Sequence, residues 1–192
     1  MSETRFQRRQ VKRPGRIDRA GRTGEMIRVD HAGEYGAVQI YKGQLAVFSR
    51  LPHKARIASQ LRHMEADEQH HLRAFDRLLM ERNVRPTALG PIWTLAGFGL
   101  GAATALMGEK AAHACTEAVE SVIEGHYGDQ VVELEAAGET ELAETFDRFR
   151  EEEVAHKDLA AEEGAKDAFA YPLLSGLIKT GCRIAIKVTE KV

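Results

Sequence analysis

At 192 residues the chain is long enough to bury a sizeable core in one ordinary domain. Its 27 Lys and Arg against 29 Asp and Glu leave a formal charge of -2, so no global basicity points to nucleic acid as a partner. Cys115 and Cys182 lie far apart and outside any CxxC spacing, which argues against a disulfide framework or a thiolate zinc site and for a reducing compartment.

The first 22 residues carry eight Arg or Lys and two acids, a composition that predicts a basic, flexible arm over 1–22. No apolar run follows, so a secretory signal is not expected. Residues 23–192 are expected to form a single all-α domain, because apolar residues recur at spacings of three and four. With Asp30 as its N-cap, a first helix carries the face Glu34, Val38, Tyr41, Leu45, Phe48. "RLPHK" breaks it. A second helix presents Leu61, Met64, Glu68, His71 or Leu72, Phe75 and Leu79, and ends near "NVRP" because Pro86 disfavours helix in the residue before it.

From Pro86 to Gly108 there is no charge, an apolar crossover (86–108) long enough to be weighed as a membrane span, although five glycines and two prolines weaken that reading. Its "GFGLG" lacks a preceding strand and so does not announce a dinucleotide loop. A hairpin buried in the protein is the alternative to membrane contact. A third helix follows with Thr116, Val119, Glu120, Ile123, Tyr127, Val131 and Leu134, and after "AAGET" a fourth with Leu142, Phe146, Phe149, Glu153, His156 and Leu159. The expected architecture is a ferritin-like four-helix bundle with one long crossover. An extra amphipathic helix over 170–190 sets Leu174, Leu177, Ile178, Ile184, Ala185 and Val188 beside a stripe of Lys179, Arg183 and Lys187, the pattern of a helix lying on an anionic membrane surface. A fifth bundle helix with a solvated basic face is the plainer alternative.

Two Glu-x-x-His pairs, Glu68/His71 and Glu153/His156, each project from one helix face. Glu34 precedes Glu68 by 34 residues and Glu120 precedes Glu153 by 33, so the chain holds two copies of Glu, helix, turn, helix, ExxH. Four ionised carboxylates aimed into one core would repel one another and be poorly solvated. Two divalent metals neutralise them, and mixed oxygen and imidazole ligation suits iron or manganese better than a closed zinc site. One Glu from each of two helices plus Glu-x-x-His from each of two others is the di-iron bundle pattern. The expected ligands are Glu34, Glu68, His71, Glu120, Glu153 and His156, with Glu68 and Glu153 bridging. Glu117 and Glu124 are alternatives to Glu120, Asp67 and Asp158 candidate acceptors for the ligand imidazoles, and Glu65 and His70 are read as solvated. His31, His53, His63 and His113 are read as ordinary.

The blocks "IRVDHAGEYGAVQIYKGQ", "EQHHLRAFDRLL", "RPTALGPIWTLAGFGLGAATALMG", "ACTEAVESVIEGHYGDQ", "EEEVAHKDLA" and "GCRIAIKVTE" resemble, in order, those of the demethoxyubiquinone hydroxylase family. "VESVIEGHY" departs from the commoner "VEESIAHHY" but keeps Glu120, His126 and Tyr127 in register. The resemblance implies a membrane-associated di-iron monooxygenase that uses two irons and dioxygen to hydroxylate the polyprenylated benzoquinol 2-polyprenyl-3-methyl-6-methoxy-1,4-benzoquinol. The reductant it leaves open is NADH or the quinol itself. Tyr127 and His126 are then catalytic candidates for carrying electrons or protons, a plain packing role for Tyr127 being the alternative. Membrane lipid, a lipid-binding protein of the ubiquinone pathway and a homo-oligomer are the implied partners. The implied location is the periphery of a bacterial inner membrane on its cytoplasmic face, or of the mitochondrial inner membrane on its matrix side. Rival readings are a ferritin-like ferroxidase or iron-storage protein, and a non-catalytic membrane-bound quinone scaffold.

Overall fold

The computed structural model describes residues 19–192, with side chains from residue 21 onward. Among these residues there are six α-helices and no strand: α1 (Arg19–Phe48), α2 (Ala55–Glu81), α3 (Gly90–Leu106), α4 (Glu109–Ala137), α5 (Thr140–Glu162) and α6 (Tyr171–Thr189). Most of the expected basic arm lies outside the described residues. Its end is not free, because Arg19–Arg22 already belong to α1 and Arg22 pairs with Glu133 of α4 at 3.0 Å.

α1 pairs with α2 and α4 with α5, as the short connections require. The first pair turns at the one-turn helix Pro52–Lys54, the second at Gly138, whose left-handed φ of 79° lets Glu139 N–H reach back to Leu134 O at 3.0 Å and close the end of α4. α3 and α6 each lie outside these pairs, α3 against α1 and α6 against α4. Both carry Pro in the first turn, where a missing N–H leaves no bond unmade. The molecule is therefore two three-helix halves, α1–α3 and α4–α6, arranged around a common four-helix core.

Two expectations change here. The uncharged crossover is neither a span nor a buried hairpin but α3, the third helix of the first half, with Ile92, Leu95 and Leu106 exposed. No helix among the described residues is long and apolar enough to cross a membrane. Asp30 does not cap a helix either: the chain is already helical at Arg19, eleven positions earlier, and Asp30 sits within α1, buried.

Two of the apolar clusters pack along the four-helix core. Phe75, Leu79, Tyr127, Leu134, Phe146 and Phe149 pack at one end, and Tyr41, Phe48, Ile57, Leu61 and Met64 at the other. The layer of acids and imidazoles lies between them, so hydrocarbon walls it off from water on both sides.

Candidate metal centre

All six expected ligands are buried, and they come together in two overlapping sets. Glu34, Glu68, His71 and Glu153 form one, and Glu68, Glu120, Glu153 and His156 the other, with ligand atoms of each set within 4.8 Å of one another. Glu68 and Glu153 are common to both, the arrangement expected of bridging carboxylates. His71 turns Nδ1 toward Glu153 at 3.1 Å and Glu34 at 3.4 Å, and His156 turns Nδ1 toward Glu68 at 3.3 Å and Glu153 at 3.4 Å. Glu68 Oε1, Glu153 Oε2 and His156 Nδ1 are buried with no hydrogen-bond partner. Donor atoms that face one another with nothing between them to bond fit a cation, and the mixed oxygen and nitrogen set fits a pair of transition-metal ions.

The outward nitrogens are held by acids. His156 Nε2 meets Asp67 at 3.1 Å and His71 Nε2 meets Glu152 at 2.7 Å, which fixes each ring with Nδ1 facing inward. Asp67 is where the sequence placed it. Asp158 is not such an acceptor, since it is exposed, and Glu152 takes that place for His71. Each acceptor immediately precedes a glutamate common to both sets, so the duplication that aligned the two Glu-x-x-His pairs would have located Glu152 from Asp67.

The same duplication reveals a tyrosine pair. Tyr127 follows Glu120 by seven residues and donates its hydroxyl to Glu34, while Tyr41 follows Glu34 by seven and donates to Glu120 at 3.0 Å. Burial first, and then the neighbouring carboxylates, push both phenols well above their ordinary range, so both hydroxyls keep their protons as donors. Tyr41 had been read only as part of an apolar face.

Neither alternative to Glu120 reaches the cluster. Glu117 turns outward to accept from Tyr171 at 2.8 Å, Ser121 at 2.9 Å and Lys179 at 3.3 Å, and Glu124 pairs with Lys157. Lys179 is thereby drawn onto the bundle, leaving Arg183 and Lys187 exposed on α6. His126 lies apart from the six ligands, against Asp30 at 3.3 Å. His70 is exposed as expected, and His31 pairs with Asp76 at 3.0 Å. His113 is buried with neither ring nitrogen bonded.

Electrostatics add to the case for a cation. Burial, and then the charge of Glu153, push the Glu68 and Glu120 carboxyls well above their ordinary range. Burial alone would lower the two imidazoles, but hydrogen bonds and charge from Glu153, with Glu34 at His71, push His71 up to about 12 and His156 to about 9. The metal-free cluster is thus held together by protons. A folded-state midpoint raised above the unfolded one contributes stability at pH values below the unfolded midpoint, and that contribution is lost as pH climbs through the folded one. We therefore expect the thermal midpoint of metal-free protein to fall by several degrees between pH 7 and pH 10, as His156 loses its proton, while metal-loaded protein stays level. Parallel fall of both forms in differential scanning fluorimetry would refute this account.

A groove of about 490 Å³ runs between α3 and α6 on the far side of α1 and α4. Trp93, Gly97 and Leu100 form one wall, and Leu174, Ile178 and Cys182 the other. Its floor includes Gly33 and Val119, the sequence neighbours of Glu34 and Glu120, so the α1 and α4 segments that carry these two acids also form the groove floor.

Similar proteins carry the same message. The family described as ubiquinone biosynthesis protein COQ7 matches residues 21–189. A Rhodospirillum rubrum protein named 3-demethoxyubiquinol 3-hydroxylase is 51% identical over 179 residues, covering 93% of this chain and 82% of that one. The human NADPH-dependent 3-demethoxyubiquinone 3-hydroxylase, mitochondrial, is 42% identical over 170 residues, with 87% and 76% covered. The Saccharomyces cerevisiae 5-demethoxyubiquinone hydroxylase, mitochondrial, is 40% identical over 182 residues, with 87% and 77% covered. With the family match running through both halves of the fold and all six acid and imidazole residues, the chain belongs to the COQ7 family of ubiquinone biosynthesis proteins.

Proposed function

We propose that the chain is a di-iron 3-demethoxyubiquinol hydroxylase acting at the surface of a membrane. The observation that carries this reading is an apolar groove floored by the same α1 and α4 segments that carry Glu34 and Glu120, together with two overlapping sets of metal-ligand atoms. A storage protein of the ferritin type has use for the ligands but none for the groove.

Glu34, Glu68, His71 and Glu153 would hold one iron, and Glu68, Glu120, Glu153 and His156 the other. Bound there, the metals supply dioxygen chemistry, with one oxygen atom entering the substrate ring and the other leaving as water. The chain's own groups do the rest. Gly33, Gly36 and Ala37 leave the groove floor low, which lets a substituted quinol ring approach Glu34 while Leu100, Leu174 and Ile178 hold its polyprenyl tail. The hydrocarbon clusters above and below keep water from the reacting atoms. Tyr127 holds a proton against Glu34, and His126, beside it in sequence and partly exposed, is placed to pass protons or electrons between solvent and that side of the centre. The relatives' names support a reduced nicotinamide nucleotide as the electron source.

Exposed Leu95 on α3 and Leu173, Leu177 and Ile184 on α6 line the groove or directly follow or precede residues that do, an apolar rim suited to lipid contact. The chain should float with liposomes containing anionic lipid, and replacing Leu173 and Leu177 by Ser should reduce flotation without loss of metal. Equal flotation of the two proteins would remove the rim from the membrane contact. The reaction itself is tested by anaerobic iron reconstitution, then oxygen and a short-tail demethoxy quinol, with mass spectrometry expected to find one added oxygen atom. Oxygen uptake with unchanged quinol, or a cage-sized particle retaining excess iron, would reject the hydroxylase reading.

A further inference from the structure

Asp30 is a 5% exposed acid in the middle of a helix, and neither helix capping nor metal ligation employs it. Such a group is costly to bury unless its charge is matched. Its partners both come from α4. Oδ1 lies 3.3 Å from His126 Nε2 and accepts from the Gln130 amide at 3.1 Å, and the same amide nitrogen stands 3.0 Å from the imidazole nitrogen. The His126 side chain is 17% exposed, whereas that of Asp30 is 3% exposed, so the pair leads from solvent inward to within one helical turn of Glu34.

The duplication provides an internal control. Residues of α1 correspond to residues 86 positions on in α4, as Glu34 does to Glu120 and Tyr41 to Tyr127. On that alignment Gln44 is the counterpart of Gln130, and it too is buried, but it donates to the Ala112 carbonyl at 3.1 Å. Thr116 stands for Asp30 and Ile40 for His126. The half that serves Glu120 therefore keeps the tyrosine and the amide yet has no acid and no imidazole, and it ends in hydrocarbon with Ile40, Cys115 and Val119.

We infer that Asp30 is a positioning residue that fixes the His126 ring beside Tyr127, and that it makes the two metal positions unequal, with the Glu34 side linked to solvent through side chains and the Glu120 side closed. The inference rests on the hydroxylase reading for its kinetic consequence but not for the Asp30–His126 contact. Burial lowers the His126 midpoint and the Asp30 carboxylate, by hydrogen bond and charge, more than reverses it. Arg22 on α1, Glu133 on α4 and Glu190 beyond α6 also face the ring, Glu190 acting with Asp30 and Arg22 against it.

The test uses full-length Asp30→Asn, Asp30→Glu and Thr116→Val. In zinc-loaded protein, followed by histidine-selective NMR with His126 assigned from His126→Gln, the wild-type midpoint should lie above the ordinary 6.5. Asp30→Asn should bring it below 6.5, and Asp30→Glu should restore part of the shift. In iron-reconstituted protein Asp30→Asn should lower kcat about ten-fold, with KM for the short-tail quinol and the iron content unchanged. Thr116→Val, at the equivalent place in the other half, should leave kcat and the His126 midpoint as they are. An unmoved His126 midpoint in Asp30→Asn, a kcat loss that follows iron loss, or an equal kcat loss in Thr116→Val overturns the inference. A wild-type chain that fails to hydroxylate the quinol overturns the proposed function instead, because the NMR midpoint does not depend on turnover.

Discussion

Glu153→Ala should lose both metal ions, whereas Glu120→Ala should keep one. Glu153 contributes an oxygen to both ligand sets, and Glu120 to one. Removing Glu153 leaves each set with three protein ligands. It also takes from His71 and His156 a carboxylate that faces both Nδ1 atoms, at 3.1 Å from one and 3.4 Å from the other. Removing Glu120 leaves Glu34, Glu68, His71 and Glu153 untouched, and Tyr41 merely loses its acceptor. Plasma-mass-spectrometric counting of iron in reconstituted protein, with circular dichroism to establish retained helix, separates the two variants. Two irons retained in Glu153→Ala would mean that the ligands have been misassigned, and complete loss in Glu120→Ala would mean that the two positions fill only together.

What the sequence made legible here is whatever the duplication repeats. Spacing was enough to bring six acid and imidazole side chains to one buried layer, because helix period turns spacing into direction. The same logic contained Glu152 and Tyr41, but Glu152 lies among three consecutive glutamates and Tyr41 among apolar residues, so neither stood out in composition. Asp30 was misread because an acid before an apolar-periodic stretch looks like a cap, and only the partners on α4 reveal that the helix continues through it. The docking partner of α3 was not legible at all. A segment apolar on nearly every side has no period to indicate which face is buried, and what fixes that face is a set of close backbone approaches.

Those approaches lead to the second large effect: Gly101→Ala should destabilise the protein and impair the groove while leaving the metals in place. A Cβ added at Gly101 would stand 2.0 Å from the Ile40 carbonyl oxygen, and one at Gly43 would stand 2.2 Å from that of Phe98. Backbone cannot yield as a flexible side chain can, so α3 must lift from α1. Overpacking of this kind typically costs about 1–3 kcal/mol, and in a chain of this length each kcal/mol lowers the thermal midpoint by roughly 2–4 °C. Because α3 supplies Trp93, Gly97 and Leu100 to the groove wall, lifting it should raise KM for a long-tailed quinol more than for a short-tailed one. The ligands lie on α1, α2, α4 and α5, so iron content should hold at the wild-type level. Gly99→Ala is the matched control: a Cβ there meets nothing within 4 Å, and an exposed helical Gly to Ala change favours the helix by up to about 1 kcal/mol. If Gly101→Ala melts with Gly99→Ala, α3 is not held by backbone contact with α1, and the groove cannot owe its shape to that contact.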